Sequence, residues 1–309
     1  MDGINTSFLI PSPMEQIENE LLGNKNITLF VKRDDLIHPW LSGNKYRKLK
    51  YNIAQAKDHN KKMVITFGGA FSNHLYATAG ACSLYGLQSI GIIRGDIDSD
   101  NPTIKFCIAR GMKLIPVSRS SFRLKHESKE IQDIVSTYYD PYVIPEGGTN
   151  SFALKGVEEL IHEINQQFLL SPDYIILASG TGGTTAGLLT SDELRSKVIS
   201  FSALKSDHLT EEILRLAGNK NNQLLTVISD YHFGGYGKWN NELLNFITEF
   251  EDSTGVLLDH VYNGKAMYGL YDMIRNDFFA KGSTLCYLHT GGLQGKSGLA
   301  YMKMKKRVK

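Results

Sequence analysis

The residues best suited to chemistry begin with Ser179-Gly180-Thr181-Gly182-Gly183-Thr184-Thr185, a stretch between the apolar run Tyr174-Ile175-Ile176-Leu177 and an alanine- and leucine-containing helix pattern. Glycines let several backbone N–H groups converge without Cβ clashes, and Ser and Thr add hydroxyl donors. The positive end of a following helix would favour a dianion. The stretch therefore reads as an anion or phosphate cradle, with a structural turn that holds no ligand as the alternative. It lacks the Gly-Lys-Ser/Thr ending of an ATP-binding P-loop and the spacing of a dinucleotide fingerprint, so phosphate is better supported than a nucleotide. Cys82, Cys107 and Cys286 are widely separated, and the nine histidines show no close, repeated ligand spacing, so no metal site is expected.

Such a loop must be positioned by strands and helices. Short β-branched or aromatic runs repeatedly stop at glycines or small polar residues, as buried strands do at their carboxyl ends. Residues 64–67 precede Gly68-Gly69, 142–144 precede Gly147-Gly148, 174–177 precede Gly180, and 285–288 precede Gly291-Gly292. Further candidate strands are 29–31, 90–93, 114–115, 198–201 and 225–228. Leu154, Val157, Leu160, Ile161 and Ile164 share one helical face, and Leu243, Leu244, Ile247 and Phe250 outline another. This order predicts an α/β chain with parallel-rich sheets covered by helices.

The 309 residues suggest two domains at roughly 150 residues each. With 34 basic and 32 acidic residues the net charge is +2, so no global field selects nucleic acid as a partner. The basic run 303–309 reads as a solvated tail. An odd cysteine count argues against a disulfide scaffold and for a reducing cytoplasm. No run approaches the roughly 18 apolar residues of a membrane span, and Met1-Asp2-Gly3-Ile4-Asn5 does not begin a secretory leader; no membrane association is expected.

Six motifs occur in a specific order: Lys32-Arg33-Asp34-Asp35, Ser42-Gly43-Asn44-Lys45-Tyr46-Arg47-Lys48-Leu49, Phe67-Gly68-Gly69-Ala70-Phe71-Ser72-Asn73-His74, the 179–185 loop, Val261-Tyr262-Asn263-Gly264-Lys265 and His289-Thr290-Gly291-Gly292. Over nearly its whole length the chain thereby resembles the fold-type-II pyridoxal-phosphate enzymes, particularly the 1-aminocyclopropane-1-carboxylate deaminase and D-cysteine desulfhydrase family. The resemblance implies the two-domain fold of the tryptophan synthase beta-like group, with residues 1–47 and 149–309 as a larger cofactor-binding domain and 48–148 as a smaller α/β domain. It also implies pyridoxal 5'-phosphate as cofactor, a small amino-acid substrate and a homodimer.

The resemblance assigns Lys45 as the lysine to which the cofactor is attached, a choice that composition alone could not make. Gly180, Thr181, Gly182, Gly183 and Thr184 would hold the phosphate, and Asn73 would donate to the phenolic oxygen of the ring. Ser72 would touch the substrate carboxylate or move a proton, with a helix cap as the alternative. Tyr262 and Tyr236 would contact substrate, with aromatic packing as the alternative. His74 is open between a substrate contact and a local polar role. Asn263 and Thr290 are matched to positions near the cofactor ring.

Those last two positions also bear on the substrate. The aminocyclopropane deaminases carry glutamate and leucine where this chain has Asn263 and Thr290, whereas Thr290 is similar to the D-cysteine desulfhydrase branch. The leading expectation is β-elimination from D-cysteine or a related small D-amino acid, yielding pyruvate and ammonia, with hydrogen sulfide from D-cysteine. Lys45 is the first choice for the base, with Ser72 or Tyr262 assisting. Aminocyclopropane deamination, amino-acid racemisation and an inactive cofactor-binding protein are the alternatives.

Overall fold

The structure, a computed structural model, describes residues 7–307; Met1-Asp2-Gly3-Ile4-Asn5 and the last two residues of the basic tail lie outside the described residues. The strands are β1 (Met14–Ile17), β2 (Thr28–Lys32), β3 (Met63–Gly68), β4 (Gln88–Arg94), β5 (Met112–Val117), β6 (Tyr142–Val143), β7 (Tyr174–Ser179), β8 (Lys197–Ser202), β9 (Leu225–Ile228) and β10 (Thr284–Leu288). The helices are α1 (Glu20–Lys25), α2 (Gly43–Asp58), α3 (Asn73–Tyr85), α4 (Pro102–Ala109), α5 (Arg119–Leu124), α6 (Lys129–Ser136), α7 (Ser151–Gln167), α8 (Gly183–Leu189), α9 (Leu209–Leu216), α10 (Asn241–Thr254), α11 (Asn263–Arg275) and α12 (Gln294–Arg307).

The chain divides into two compact units. One holds Phe8–Asn44 and Leu154–Leu293; the other holds Lys45–Ala153 and the segment from Gln294 onward. In the first, six strands lie in the order β1-β2-β10-β7-β8-β9, all parallel except the β1/β2 pair. Side chains alternate across this sheet with the period of two that strands impose. Ile176, Ala178, Leu285 and Tyr287 enter one buried cluster with Leu243 and Leu270, while Ile175, Leu177, Cys286 and Leu288 enter another with Val157 and Leu188. Both faces are covered, which is why these strands read as unbroken apolar runs.

In the other unit, four parallel strands take the order β5-β4-β3-β6. Ile65, Phe67, Ile90 and Ile92 pack with Phe122 and Ile131 on one side, and Ile93 joins Leu75, Ile104 and Cys107 on the other. The described part of the C-terminal segment, 294–307, grouped from sequence with the larger domain, clusters with this unit. Tyr301 Oη and Lys305 Nζ both donate to Asp98 Oδ2, and the Phe71 ring lies 6.4 Å from that of Tyr301. Strand β1 was not foreseen, because only Ile17 of its four residues is buried.

No helix among the described residues is long and apolar enough to cross a membrane. Ile92 is fully buried in the β4 core. Ile92→Ala should therefore cost about 2–5 kcal/mol through lost burial and a residual cavity, read as a lower denaturant midpoint at unchanged slope.

Candidate active site

In the six-stranded unit, β7 and β10 are parallel neighbours in which Ile176 pairs with Tyr287, so their carboxyl ends lie on the same edge of the sheet, β7 running two residues further. Their carboxyl ends release the 179–184 loop and the His289-Thr290-Gly291-Gly292 turn side by side, the place where open parallel sheets bind ligands. Gly182 has φ +76 and caps α8 without a side-chain acceptor, so no side chain satisfies the first-turn N–H groups. A Cβ on Gly182 would come within 2.6 Å of Ile213 Cγ1. The loop thus starts a helix at a glycine with no capping side chain, a backbone form that suits an anion, while Gly182 itself must stay small to clear Ile213.

The turn 42–44 lies against both loops. Gly43 has φ +61, and a Cβ there would meet the Thr290 carbonyl oxygen at 2.0 Å. Asn44 N–H donates to that same oxygen at 3.3 Å, and Asn44 Nδ2 donates to Thr184 Oγ1 at 2.8 Å. The residue that contacts the glycine loop is thus the immediate neighbour of Lys45. Sequence reasoning quoted Asn44 only as part of a motif; its role needed the fold.

Tyr262 stands at the N-terminus of α11 and lies over the same loop, because a Cβ on Gly180 would sit 3.0 Å from Tyr262 Cε1 and 3.3 Å from its hydroxyl. The Tyr236 ring is 6.0 Å from that of Tyr262, edge to face, and Tyr236 is exposed. The backbone that places Tyr262 is held by Asp259, whose Oδ2 accepts from the N–H groups of Val261 and Tyr262 and whose Oδ1 accepts from Asn263. Sequence reasoning passed over Asp259, although an aspartate just ahead of an apolar helix is a capping signal.

Asn263 is fully buried, and its amide is already satisfied by protein. Nδ2 donates to Asp259 Oδ1 at 2.9 Å and to Gly291 O at 2.7 Å. Oδ1 accepts from Thr290 N and Thr290 Oγ1, both at 3.2 Å, and from Tyr287 Oη at 3.3 Å. Thr290 uses its hydroxyl proton in this way and keeps acceptor capacity on Oγ1.

In the four-stranded unit, Lys45 and Lys48 lie one helical turn apart on α2. Both amines turn to the Gly147 carbonyl, at 3.5 and 3.3 Å, and Lys48 also donates to Thr149 Oγ1 at 3.0 Å. Desolvation lowers the Lys45 amine to about 8, and burial followed by repulsion from Lys45 pushes Lys48 well down. A lowered amine is the form a carbonyl-attacking lysine needs. Ser72 Oγ caps α3 by accepting from Leu75 N–H, and Asn73 Oδ1 accepts from Gln294 Nε2 at 2.7 Å, which leaves the Asn73 Nδ2 group to donate. Thr66 Oγ1 donates to Ile144 O, so its contact with His74 Nε2 at 2.7 Å makes that nitrogen the donor, and His74 is held neutral by its surroundings. Burial, then the charges of Lys45 and Lys48, keep it so.

The predicted residues therefore fall into two sets. Gly180, Thr181, Gly182, Gly183, Thr184, Tyr236, Tyr262, Asn263 and Thr290 belong to the six-stranded unit, and Lys45, Ser72, Asn73 and His74 to the four-stranded one. No His/Cys/Asp/Glu cluster able to hold a metal occurs among the described residues.

A glycine loop at the end of a parallel strand in one unit and, in the other, a half-buried lysine whose amine desolvation makes less basic are features of a cofactor-dependent enzyme of carbonyl–amine chemistry. The sequence signature described as "Pyridoxal-phosphate dependent enzyme" matches residues 6–291, and the chain belongs to that family. Within it, the chain is a fold-type-II enzyme, lyase-like and related to the 1-aminocyclopropane-1-carboxylate deaminase/D-cysteine desulfhydrase group, that binds pyridoxal 5'-phosphate.

A bifunctional D-cysteine desulfhydrase/1-aminocyclopropane-1-carboxylate deaminase, mitochondrial, of Arabidopsis thaliana is 34% identical over 312 residues, covering 93% of this chain and 77% of that one. A protein of Pyrococcus horikoshii, provisionally named a 1-aminocyclopropane-1-carboxylate deaminase, is 33% identical over 279 residues, covering 86% and 85%. The crystal structure of an "ACC deaminase homologue" superposes with a TM-score of 0.80 at 29% identity, covering 94% of this chain and 93% of that one.

Two outcomes are expected. Gly43→Ala should disrupt the turn before Lys45, because a left-handed φ and a 2.0 Å approach to backbone cannot both be relieved, and cofactor loading followed by absorbance should fall sharply. In cofactor-free protein, the acylation rate of Lys45 measured by peptide mass spectrometry should rise with pH around a midpoint near 8, against 10.5 for an ordinary lysine.

Proposed function

We propose that this chain deaminates a small amino acid, with 1-aminocyclopropane-1-carboxylate as the first substrate to assign and D-cysteine as the second. The supporting observation is the bond from Asn44 to Thr184, which fixes the neighbour of Lys45 on the glycine loop, with Tyr262 over the same loop. A pyridoxal-phosphate dependent deamination or β-elimination is the reaction type of this family, and the names of the relatives favour the aminocyclopropane. The D-cysteine reading rests on Asn263 and Thr290, since neither supplies a carboxylate near the ring.

When bound, the cofactor supplies an electron sink for the carbanion formed at the substrate Cα. We assign Gly180, Thr181, Gly182, Gly183 and Thr184 to its phosphate, Asn73 Nδ2 to its phenolic oxygen and Thr290 to its ring. Lys45 provides the amine of attachment and, once released, accepts the Cα proton of D-cysteine on Nζ; 1-aminocyclopropane-1-carboxylate carries no hydrogen on Cα, and with it Nζ would exchange protons at a ring methylene carbon instead. Ser72 keeps its O–H free to donate to the substrate carboxylate while its lone pair caps α3. The Tyr262 hydroxyl, with Tyr236 beside it, moves a proton at the far side of the substrate. Asn263 serves the site indirectly, by tying Thr290 and Gly291 to the start of α11.

In this reading the two units are the domains of the enzyme, the assembly is a homodimer, and the buried free cysteines suit the cytoplasm. Hydration of 1-aminocyclopropane-1-carboxylate to 2-oxobutanoate and ammonia, or of D-cysteine to pyruvate, ammonia and hydrogen sulfide, balances without an oxidant. The loaded enzyme should be given each substrate separately, with L-cysteine as a control, and oxo acid, ammonia and sulfide measured. Turnover of at least one of the two substrates is expected. Lys45→Ala should lower it by on the order of 10³-fold or more. Inactivity on both, with the cofactor bound, would refute the assignment.

A further inference from the structure

Outside the Lys45 neighbourhood, Lys265 on α11 is an amine of lowered basicity that no part of the reaction uses. It is 1% exposed. Its Nζ donates to the carbonyls of His232 and Gly235, both at 2.8 Å. No carboxylate forms an ion pair with it among the described residues, although Asp259 partly offsets the desolvation that brings its amine to about 8. A buried amine in this state costs free energy unless acceptors face it, and the acceptors that face this one among the described residues are two carbonyls of one loop.

That loop is otherwise an improbable conformation. Phe233, Gly234, Gly235 and Gly237 have φ of 51, 91, 108 and 65, all left-handed. It is seated along one face of α11 at positions 265, 268, 269 and 272, the spacing of a single helical stripe. Tyr231 occupies the space left by Gly269, where a Cβ would meet its ring at 2.8 Å, and its hydroxyl donates to Asp272 at 2.6 Å. Phe233 packs edge to face on Tyr268 at 5.0 Å. Lys265 completes the stripe at the end nearest Tyr262, and Gly235 is followed directly by Tyr236.

We propose that Lys265 is a positioning residue: it clamps the His232 and Gly235 carbonyls and thereby fixes Tyr236 against Tyr262. The inference deepens the reading of the active site given above, since it takes Tyr236 as a substrate contact. It makes the 232–237 loop a fixed wall of the six-stranded unit rather than a lid. Removing the amine releases two acceptors and lets the loop relax from its left-handed conformation, whereas the fold of the sheet is untouched.

The test uses the cofactor-loaded enzyme and three variants, Lys265→Met, Tyr236→Phe and the double variant. In Lys265→Met, amide exchange at residues 232–237 should quicken about tenfold or more, in line with the loss of hydrogen bonds to a charged group, while exchange in β7 and β10 stays unchanged. The loss in kcat/KM, on the order of 10-fold to 10²-fold for a displaced contact, should not multiply in the double variant, because Lys265 acts through Tyr236. Gly235→Ala, which strains a φ of 108 with Lys265 intact, should quicken exchange in the same loop and provides the measurement if Lys265→Met does not fold. Unchanged loop exchange in the variant, or losses that multiply, would overturn the proposal. Exchange needs no turnover, so an enzyme inactive on every amino acid tried would count against the substrate reading alone.

Discussion

The approach of the Gly43 backbone to the Thr290 carbonyl is the constraint on which the site depends. It admits no side chain at position 43, and it aligns Asn44 with both Thr290 and Thr184. Gly43 is also the first residue of α2 and Lys45 the third, so the turn and the start of the lysine's helix are one continuous piece of backbone. A flexible lysine side chain would lose little entropy on the surface and would be a poor reagent there. Placing it in the first turn of a helix and desolvating its amine supplies a restrained backbone and the lowered basicity together.

The parallel sheets were legible because strands covered on both faces must be apolar throughout, and 174–177 and 285–288 are. Their ends were legible too, since glycines mark where the chain leaves the sheet. Strand β1 gave no such signal: an edge strand with a single buried residue has no pattern to read. The placement of α12 was equally hidden. Its contact with Asp98 joins residues more than 200 positions apart, and no local propensity encodes a partner at that distance.

Within the site, the glycine loop could be read as an anion cradle from residue types alone, whereas Lys45 could not be chosen from composition among many lysines. Its desolvation and its carbonyl acceptor 102 positions away are consequences of tertiary structure, and Lys48 shares both, so neither singles it out. Family resemblance bridged that gap, but it gave no role to Lys265, quoted only as part of a motif, and did not include Asp259. Both act on backbone groups, Lys265 on carbonyls and Asp259 on N–H groups, and a residue that holds backbone leaves no motif of its own chemistry.

Counting hydrogen-bond capacity separates two residues that sequence reading treated alike. Ser72 accepts a bond from Leu75 N–H as a helix cap, yet a hydroxyl has a second lone pair and a proton, so capping and substrate contact are compatible at one atom. Asn263 differs. Its two amide protons and its carbonyl lone pairs all face protein partners, so a bond from it to a cofactor ring would have to replace one already made in a buried setting. Breaking such a bond without replacement leaves an unsatisfied buried group and costs about 1–3 kcal/mol. Thr290, with acceptor capacity to spare and its proton already directed to Asn263, is the side chain of the pair that can meet a ring N–H without that cost, and Asn263 is what orients it.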